Sequence, residues 1–131
     1  MPLAISDVMR HDIERFEKRT KSYAVATIRL CTDLEGVPGF RFVSDQLARS
    51  AGSVASNHRA MRRARSTREF AAKLQIVNEE VDESVLCYEI VDEICTELRP
   101  RVSPLLSEGL ELRAMFARAR ATTRKRLEKA G

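Results

Sequence analysis

The sequence predicts an all-α fold, an antiparallel up-down-up-down four-helix bundle formed by a single domain over residues 1–131. Four segments carry apolar side chains at steps of three or four residues, which is the spacing of one helix face. The composition agrees, because 32% of the residues are charged and only five Gly and four Pro are present. No segment shows the apolar–polar alternation that is typical of a strand.

The first three helices are delimited by these patterns. The first is predicted over residues 13–34 and the second over residues 42–64. Between them, residues 36–39 contain two glycines and a proline, which favour a helix end. The third is predicted over residues 70–98.

The fourth helix is predicted to follow Pro100, with Ser103 as its N-cap and Pro104 as its first helical residue. Its pattern fades near the basic residues at 124–126. Long helices that are joined by short connections pack as antiparallel neighbours, so the order along the chain predicts the order around the bundle.

The boundary between the second and third helices depends on one local motif. Neither Gly nor Pro occurs between Ser53 and Arg99, so one long rod is the alternative to two helices. The apolar stripe changes phase near residue 66, which argues for two helices. Ser66 and Glu69 form a capping box, in which the serine hydroxyl accepts from the Glu69 amide and the carboxylate reaches back. We therefore predict a tight turn here.

Charge is distributed in blocks along the chain. Residues 41–73 carry eight basic and two acidic side chains, residues 74–98 carry eight acidic and no basic ones, and residues 99–131 carry nine basic and three acidic ones. The predicted topology brings the ends of helices two and four to the start of helix three. We call the basic residues gathered there the basic pole: Arg59, Arg62, Arg63, Arg65, Arg68, Arg118, Arg120, Arg124, Lys125, Arg126 and Lys129.

Arginine clusters of this kind suit bidentate contacts with phosphate groups, so we predict that the basic pole binds the backbone of RNA or DNA. The alternative is that these side chains only solubilise helix ends, where C-terminal bases are favoured anyway. The chain has few aromatic residues, which argues against recognition by base stacking. The candidate contacts are Arg59, Arg62, Arg63, Arg65, Arg68, Arg120, Arg124, Lys125 and Arg126.

Two further sets of residues have predicted structural roles. Polar side chains near the apolar stripe of helix two are expected to be satisfied core groups, with glutamates of helix three as partners. A second apolar edge on helix three is either part of a broad core face or a subunit interface. The predicted polar core is Ser50, Ser53, Asn57, Glu80 and Glu83, and the predicted oligomer interface is Ile76, Cys87, Ile90 and Ile94.

The sequence gives no indication of an enzyme, so we expect a non-enzymatic protein with no cofactor and no metal. The only histidines, His11 and His58, do not form the Glu-x-x-His pairs of a di-metal bundle, and His58 is expected at the surface or at the basic pole. Glycine-rich phosphate loops and nucleophile motifs are absent. Three cysteines without CxxC spacing, no signal segment and no membrane-spanning run lead us to expect a cytoplasmic protein with reduced thiols.

Residues 46–57, QLARSAGSVASN, resemble a signature of the four-helix-bundle proteins first found inside intervening sequences of 23S ribosomal RNA genes. The similarity continues through residues 64–77 and 80–84. The resemblance implies a four-helix bundle that assembles as a homopentamer, with no established enzymatic activity. A related branch, the accessory variability proteins of diversity-generating retroelements, implies a reverse transcriptase and nucleic acid as partners.

Overall fold

The computed structural model describes residues 7–34 and 36–130, and these form four long α-helices, as predicted. Within these ranges there is no β-strand. A single turn of 3₁₀ helix, Thr96–Leu98, connects the last two helices. The helices are α1 Asp7–Leu34, α2 Arg41–Met61, α3 Thr67–Ile94 and α4 Arg99–Ala130.

Each helix packs against the next one in the chain, and α1 closes the bundle against α4 with a lighter contact. This is the antiparallel up-down-up-down arrangement. Between α1 and α4, Arg19 hydrogen-bonds to Glu108 and lies 3.3 Å from Glu111. Gly39, with a positive φ of 87°, lies in the short connection between α1 and α2, where a residue without Cβ is favoured.

The chain reverses direction between α2 and α3, which confirms the predicted turn. Helix α2 ends at Met61, three residues before the predicted end, and Ser66 adopts an extended backbone with φ −154° and ψ 161°. Its hydroxyl accepts a 3.0 Å hydrogen bond from the Glu69 amide. The Glu69 carboxylate in turn accepts from the Arg65 amide at 3.5 Å. The serine half of the predicted capping box therefore forms, whereas the Glu69 carboxylate reaches the amide of Arg65 rather than that of Ser66.

The predicted start of the fourth helix is wrong. Helix α4 begins at Arg99, so Ser103 is a helical residue and Pro104 lies inside the helix. Pro100 is accommodated because the amides of the first turn have no helical partner to lose. Pro104 removes only the hydrogen bond that would reach the carbonyl of Pro100, which is itself exposed in the first turn.

Two buried polar pairs connect α1 to α3 across the centre of the bundle. The Tyr23 hydroxyl lies 2.8 Å from Ser84 Oγ, and Thr27 Oγ1 lies 2.5 Å from the Tyr88 hydroxyl. The two tyrosine rings are 6.1 Å apart and tilted by 59°. All four residues are buried, so each hydroxyl has its hydrogen-bond partner inside the core.

The polar contacts that connect helices in the core therefore involve other residues than those predicted from the sequence. Ser50 is buried but donates to the Leu47 carbonyl of its own helix at 3.2 Å. Asn57 donates to the carbonyl and the hydroxyl of Ser53, at 3.0 and 2.9 Å. Ser50 and Asn57 are therefore satisfied within α2, because a short polar side chain readily reaches the preceding helical turn.

The expected glutamate partners bind an arginine instead. Arg49 lies 3.2 Å from Glu80 and 2.5 Å from Glu83, bridging α2 and α3 near the surface. The prediction that Glu80 and Glu83 partner Ser50, Ser53 and Asn57 is therefore wrong. A carboxylate with a guanidinium in reach gains two charge-assisted hydrogen bonds and keeps its contact with water.

Candidate nucleic-acid interface

All four helices contribute to the end of the bundle that carries the basic pole. A cavity of about 200 Å³ at this end is lined by Ile13 of α1, His58 of α2, Phe70 of α3 and Phe116 of α4. The start of α1 and the turn after α2 are therefore close to the start of α3 and to the last turns of α4. The nine candidate contacts separate into three groups within this end.

The first group is neutralised in part by α1. Glu17 accepts from Arg59 Nε at 3.1 Å and from Arg62 Nη1 at 2.5 Å. Partial burial raises the pKa of Glu17, but the hydrogen bond from Arg59 and the charges of Arg62 and Arg59 outweigh it and hold that pKa below its ordinary value. One ionised carboxylate is therefore held between two guanidinium groups.

The second group shares a groove between the first turns of α3 and the last turns of α4. Arg68, Arg120 and Arg124 line this groove of about 300 Å³, with Leu74 and Leu127 among the apolar residues beside them. No ion pair connects these three arginines to a carboxylate of any residue that the structure describes. Their charges are therefore available to an anion from solution.

The remaining candidates are exposed elsewhere at this end of the bundle. Arg63 in the turn and Lys125 on α4 are both exposed. Arg65 lies 3.6 Å from Glu69 across one turn, a pair that is weak at an exposed position. Arg126 is exposed and also lines the cavity that contains His58.

The acidic block of α3 lies away from this end and is partly paired. Besides the Arg49 contacts, Asp82 lies 2.9 Å from Arg113 and Asp92 lies 3.4 Å from Arg99. The fold thus places the basic segments of the alternating sequence together, and positive charge concentrates at one end of the bundle. Such an asymmetric field attracts polyanions to that end.

The predicted interface edge of α3 is only partly exposed. Ile94 is 65% exposed, whereas Ile76 and Ile90 are half-buried. Cys87 is 7% exposed and packs in the core, and burial with a nearby Glu83 charge raises the pKa of its thiol. Cys87 is therefore a core residue, which corrects its predicted place on an outer edge. Leu86, 56% exposed, lies on the outer face instead.

Some side-chain contacts between helices were not predicted from the sequence. Glu17 was not singled out, although its place at the start of α1 puts it beside the end of α2 in any antiparallel bundle. The apolar stripes of α1 and α3 contain four residues with hydroxyl groups, Tyr23, Thr27, Ser84 and Tyr88. Their position on these stripes was the available sign of hydrogen bonds within the core.

Residues 7–34 and 36–130 contain no group of three or more His, Cys, Asp or Glu side chains that is placed to hold a metal ion. None of the helices in these ranges combines the length and the apolar character that crossing a membrane requires.

Comparison with known proteins finds no matching family model and no curated protein that matches. Among solved structures, the chain is similar to a protein of unknown function from the S23 ribosomal protein family of Bacteroides thetaiotaomicron VPI-5482. The two are 21% identical, the match covers 79% of this chain and 96% of that one, and the TM-score is 0.73. At this identity the likeness supports the four-helix, all-α fold and carries no function.

Proposed function

We propose that the chain is a non-enzymatic, cytoplasmic four-helix bundle that binds the phosphate backbone of RNA or DNA through the basic pole. The observation that carries this proposal is the groove lined by Arg68, Arg120 and Arg124. Three guanidinium groups from two helices face one groove and have no carboxylate partner among the described residues. Guanidinium groups bind phosphate oxygens bidentately, and phosphate contacts supply most of non-specific affinity.

One feature favours a backbone-led mode over base recognition. Among the described residues, no aromatic side chain lines the arginine groove, so no stacking platform accompanies the charges. Binding is therefore expected to depend weakly on sequence.

A charge-matched pair of variants tests the proposal. Arg120→Gln/Arg124→Gln removes two charges from the groove, whereas Arg29→Gln/Arg41→Gln removes two exposed arginines near the opposite end of the bundle. We expect the groove variant to weaken binding to a single-stranded RNA and to a DNA duplex by roughly tenfold or more at 50 mM salt, a condition at which phosphate contacts dominate. Fluorescence anisotropy measures both affinities. Equal losses in the two variants would contradict the proposed site.

A second candidate function is that of a protein-interaction subunit. Phe42 is 73% exposed, an unusual position for a large aromatic side chain, and Leu86 and Ile94 are also exposed. The pair between Arg49 and Glu83 sets the register of α2 against α3. Phe42 precedes Arg49 by two helical turns, and because the helices are antiparallel this places it level with the α3 segment between Leu86 and Ile94.

These three side chains form an apolar outer face of α2 and α3 that fits a homo-oligomer, a pentamer by the resemblance, or a partner such as a reverse transcriptase. Light scattering tests self-association, for which the expected mass is a multiple of 14.8 kDa. Leu86→Gln/Ile94→Gln is expected to reduce that mass, and Val25→Gln/Ile28→Gln on the exposed face of α1 is the control. A monomeric wild-type protein would contradict self-association.

A further inference from the structure

The cavity at the basic pole contains a buried polar group that no described residue satisfies. His58 is only 1% exposed, and neither Nδ1 nor Nε2 has a hydrogen-bond partner among the described residues. A buried imidazole without a partner carries the full penalty of desolvation, which native proteins rarely leave uncompensated. The site therefore lacks a hydrogen-bonding group that a bound molecule would supply.

The walls of the cavity are mainly aromatic and apolar. The Phe116 ring lies 5.7 Å from the His58 ring, and the Phe16 ring lies 6.3 Å from it in an edge-on arrangement. Met61 and Phe70 complete the apolar lining. Planar rings pack well against such walls in offset or edge-to-face contacts.

Size and access also fit a small ring system. The volume of about 200 Å³ exceeds that of an engineered apolar cavity of about 150 Å³ that admits benzene. The lining includes Thr122 and Arg126, which are exposed on α4, so the cavity reaches the surface of the bundle. No carboxylate among the described side chains lines it, which disfavours a cationic ligand. Its charged lining residue, Arg126, is exposed, so the apolar depth around His58 disfavours an anionic ligand.

We propose that this cavity binds a neutral aromatic molecule of one or two rings that donates an N–H or O–H hydrogen bond to His58. Indole and phenol represent this class. A neutral imidazole has one nitrogen that accepts and one that donates, so the donor of the ligand meets the accepting nitrogen. A nucleic-acid base fits less well, because its several polar edge groups would remain unpaired against phenylalanine.

Two probes of nearly identical shape separate recognition by His58 from simple filling of space. Indole carries a ring N–H, and indene carries a methylene group in its place. Titration of the full chain by calorimetry is expected to show one indole bound per chain, roughly tenfold tighter than indene, the effect of one hydrogen bond to a buried acceptor. In ¹⁵N spectra, the imidazole resonances of His58 are expected to shift with indole.

Variants locate the site. His58→Leu keeps a similar volume but removes the acceptor, so indole and indene should then bind equally. Ala119→Leu fills the cavity from α4 without changing His58 and should abolish binding of both probes. Ala117→Leu, at an exposed position two residues earlier, is the matched control and should bind like the wild type.

Neither Arg120 nor Arg124 lines the cavity, so Arg120→Gln/Arg124→Gln should retain indole whatever its effect on nucleic acid. Three results would overturn the proposal. They are the absence of saturable binding to the wild type, equal affinity of the wild type for indole and indene, and an unchanged indole preference in a folded His58→Leu variant. The first would mean that the cavity holds water alone.

Discussion

His58 shows how burial alone changes the chemistry of a side chain. Desolvation lowers the pKa of His58 from 6.5 to about 4, while Glu17 raises it and Arg62 lowers it further. Since the folded state excludes the proton that the unfolded state accepts, the contribution of His58 to stability is present above pH 6.5. It is lost as the pH falls from there towards 4.

We expect the free energy of unfolding to be about 2 kcal/mol lower at pH 5 than at pH 7.5, which is the part of this linkage that lies within that range. Urea unfolding followed by circular dichroism measures it. His58→Leu should remove most of the pH dependence. Glu17, whose pKa is lowered from 4.5, adds a loss of stability at lower pH only. An unchanged dependence in the variant would contradict the assignment to His58.

Little of this residue-level detail could be predicted from the sequence. His58 was expected at the surface or at the basic pole, and it lies at that end of the bundle but in the interior. Which side of a helix faces the core is readable from periodicity. The partner that a buried polar group finds depends on the rotation of the neighbouring helix, and no local pattern encodes that rotation.

At the scale of the elements, one glycine controls how closely α1 approaches α4. A Cβ added at Gly109 would lie 2.7 Å from the Tyr23 hydroxyl oxygen and 3.1 Å from Val85 Cγ2. The Tyr23 hydroxyl is held in place by its 2.8 Å hydrogen bond with Ser84. The absence of a side chain at Gly109 is therefore what allows the Tyr23–Ser84 pair to form beside α4.

Gly109→Ala is expected to destabilise the protein by about 1–2 kcal/mol, because overpacking outweighs the gain of about 1 kcal/mol in helix propensity. In a Tyr23→Phe background, the clashing oxygen is gone and most of this penalty should disappear. A double-mutant cycle of urea unfolding measures the difference. Additive effects, or an alanine variant as stable as the wild type, would contradict the packing account.

The ends of the elements were predictable where the determinants are local. The Ser66–Glu69 capping box and the Gly-Pro connection after α1 each contain their own explanation within a few residues. The start of α4 could not be predicted in this way, because a proline breaks a helix when it lies in the interior but is tolerated in the first turn. Pro100 is the second residue of α4, so here the proline is tolerated.

At the scale of the whole molecule, topology converts the order of charges along the chain into an asymmetric surface. The short turn at Ser66 brings the end of α2 to the start of α3, and the antiparallel return of α4 adds its last turns to the same end. The gathering of the basic residues at one end could be predicted from the helix lengths and connections. The division of the arginines into those bound by Glu17 and those facing the groove could not be predicted, since it depends on side-chain contacts between helices.

The salt dependence of nucleic-acid affinity tests the central claim most directly. In the proposed function, the groove arginines with the exposed Arg63 and Lys125 would make about five phosphate contacts. The logarithm of the association constant should therefore fall with the logarithm of salt concentration with a slope of roughly −4, and the slope should decrease in magnitude by about two in Arg120→Gln/Arg124→Gln. A flat salt response, or no binding of RNA or DNA at low salt, would contradict a phosphate-binding surface at this end of the bundle.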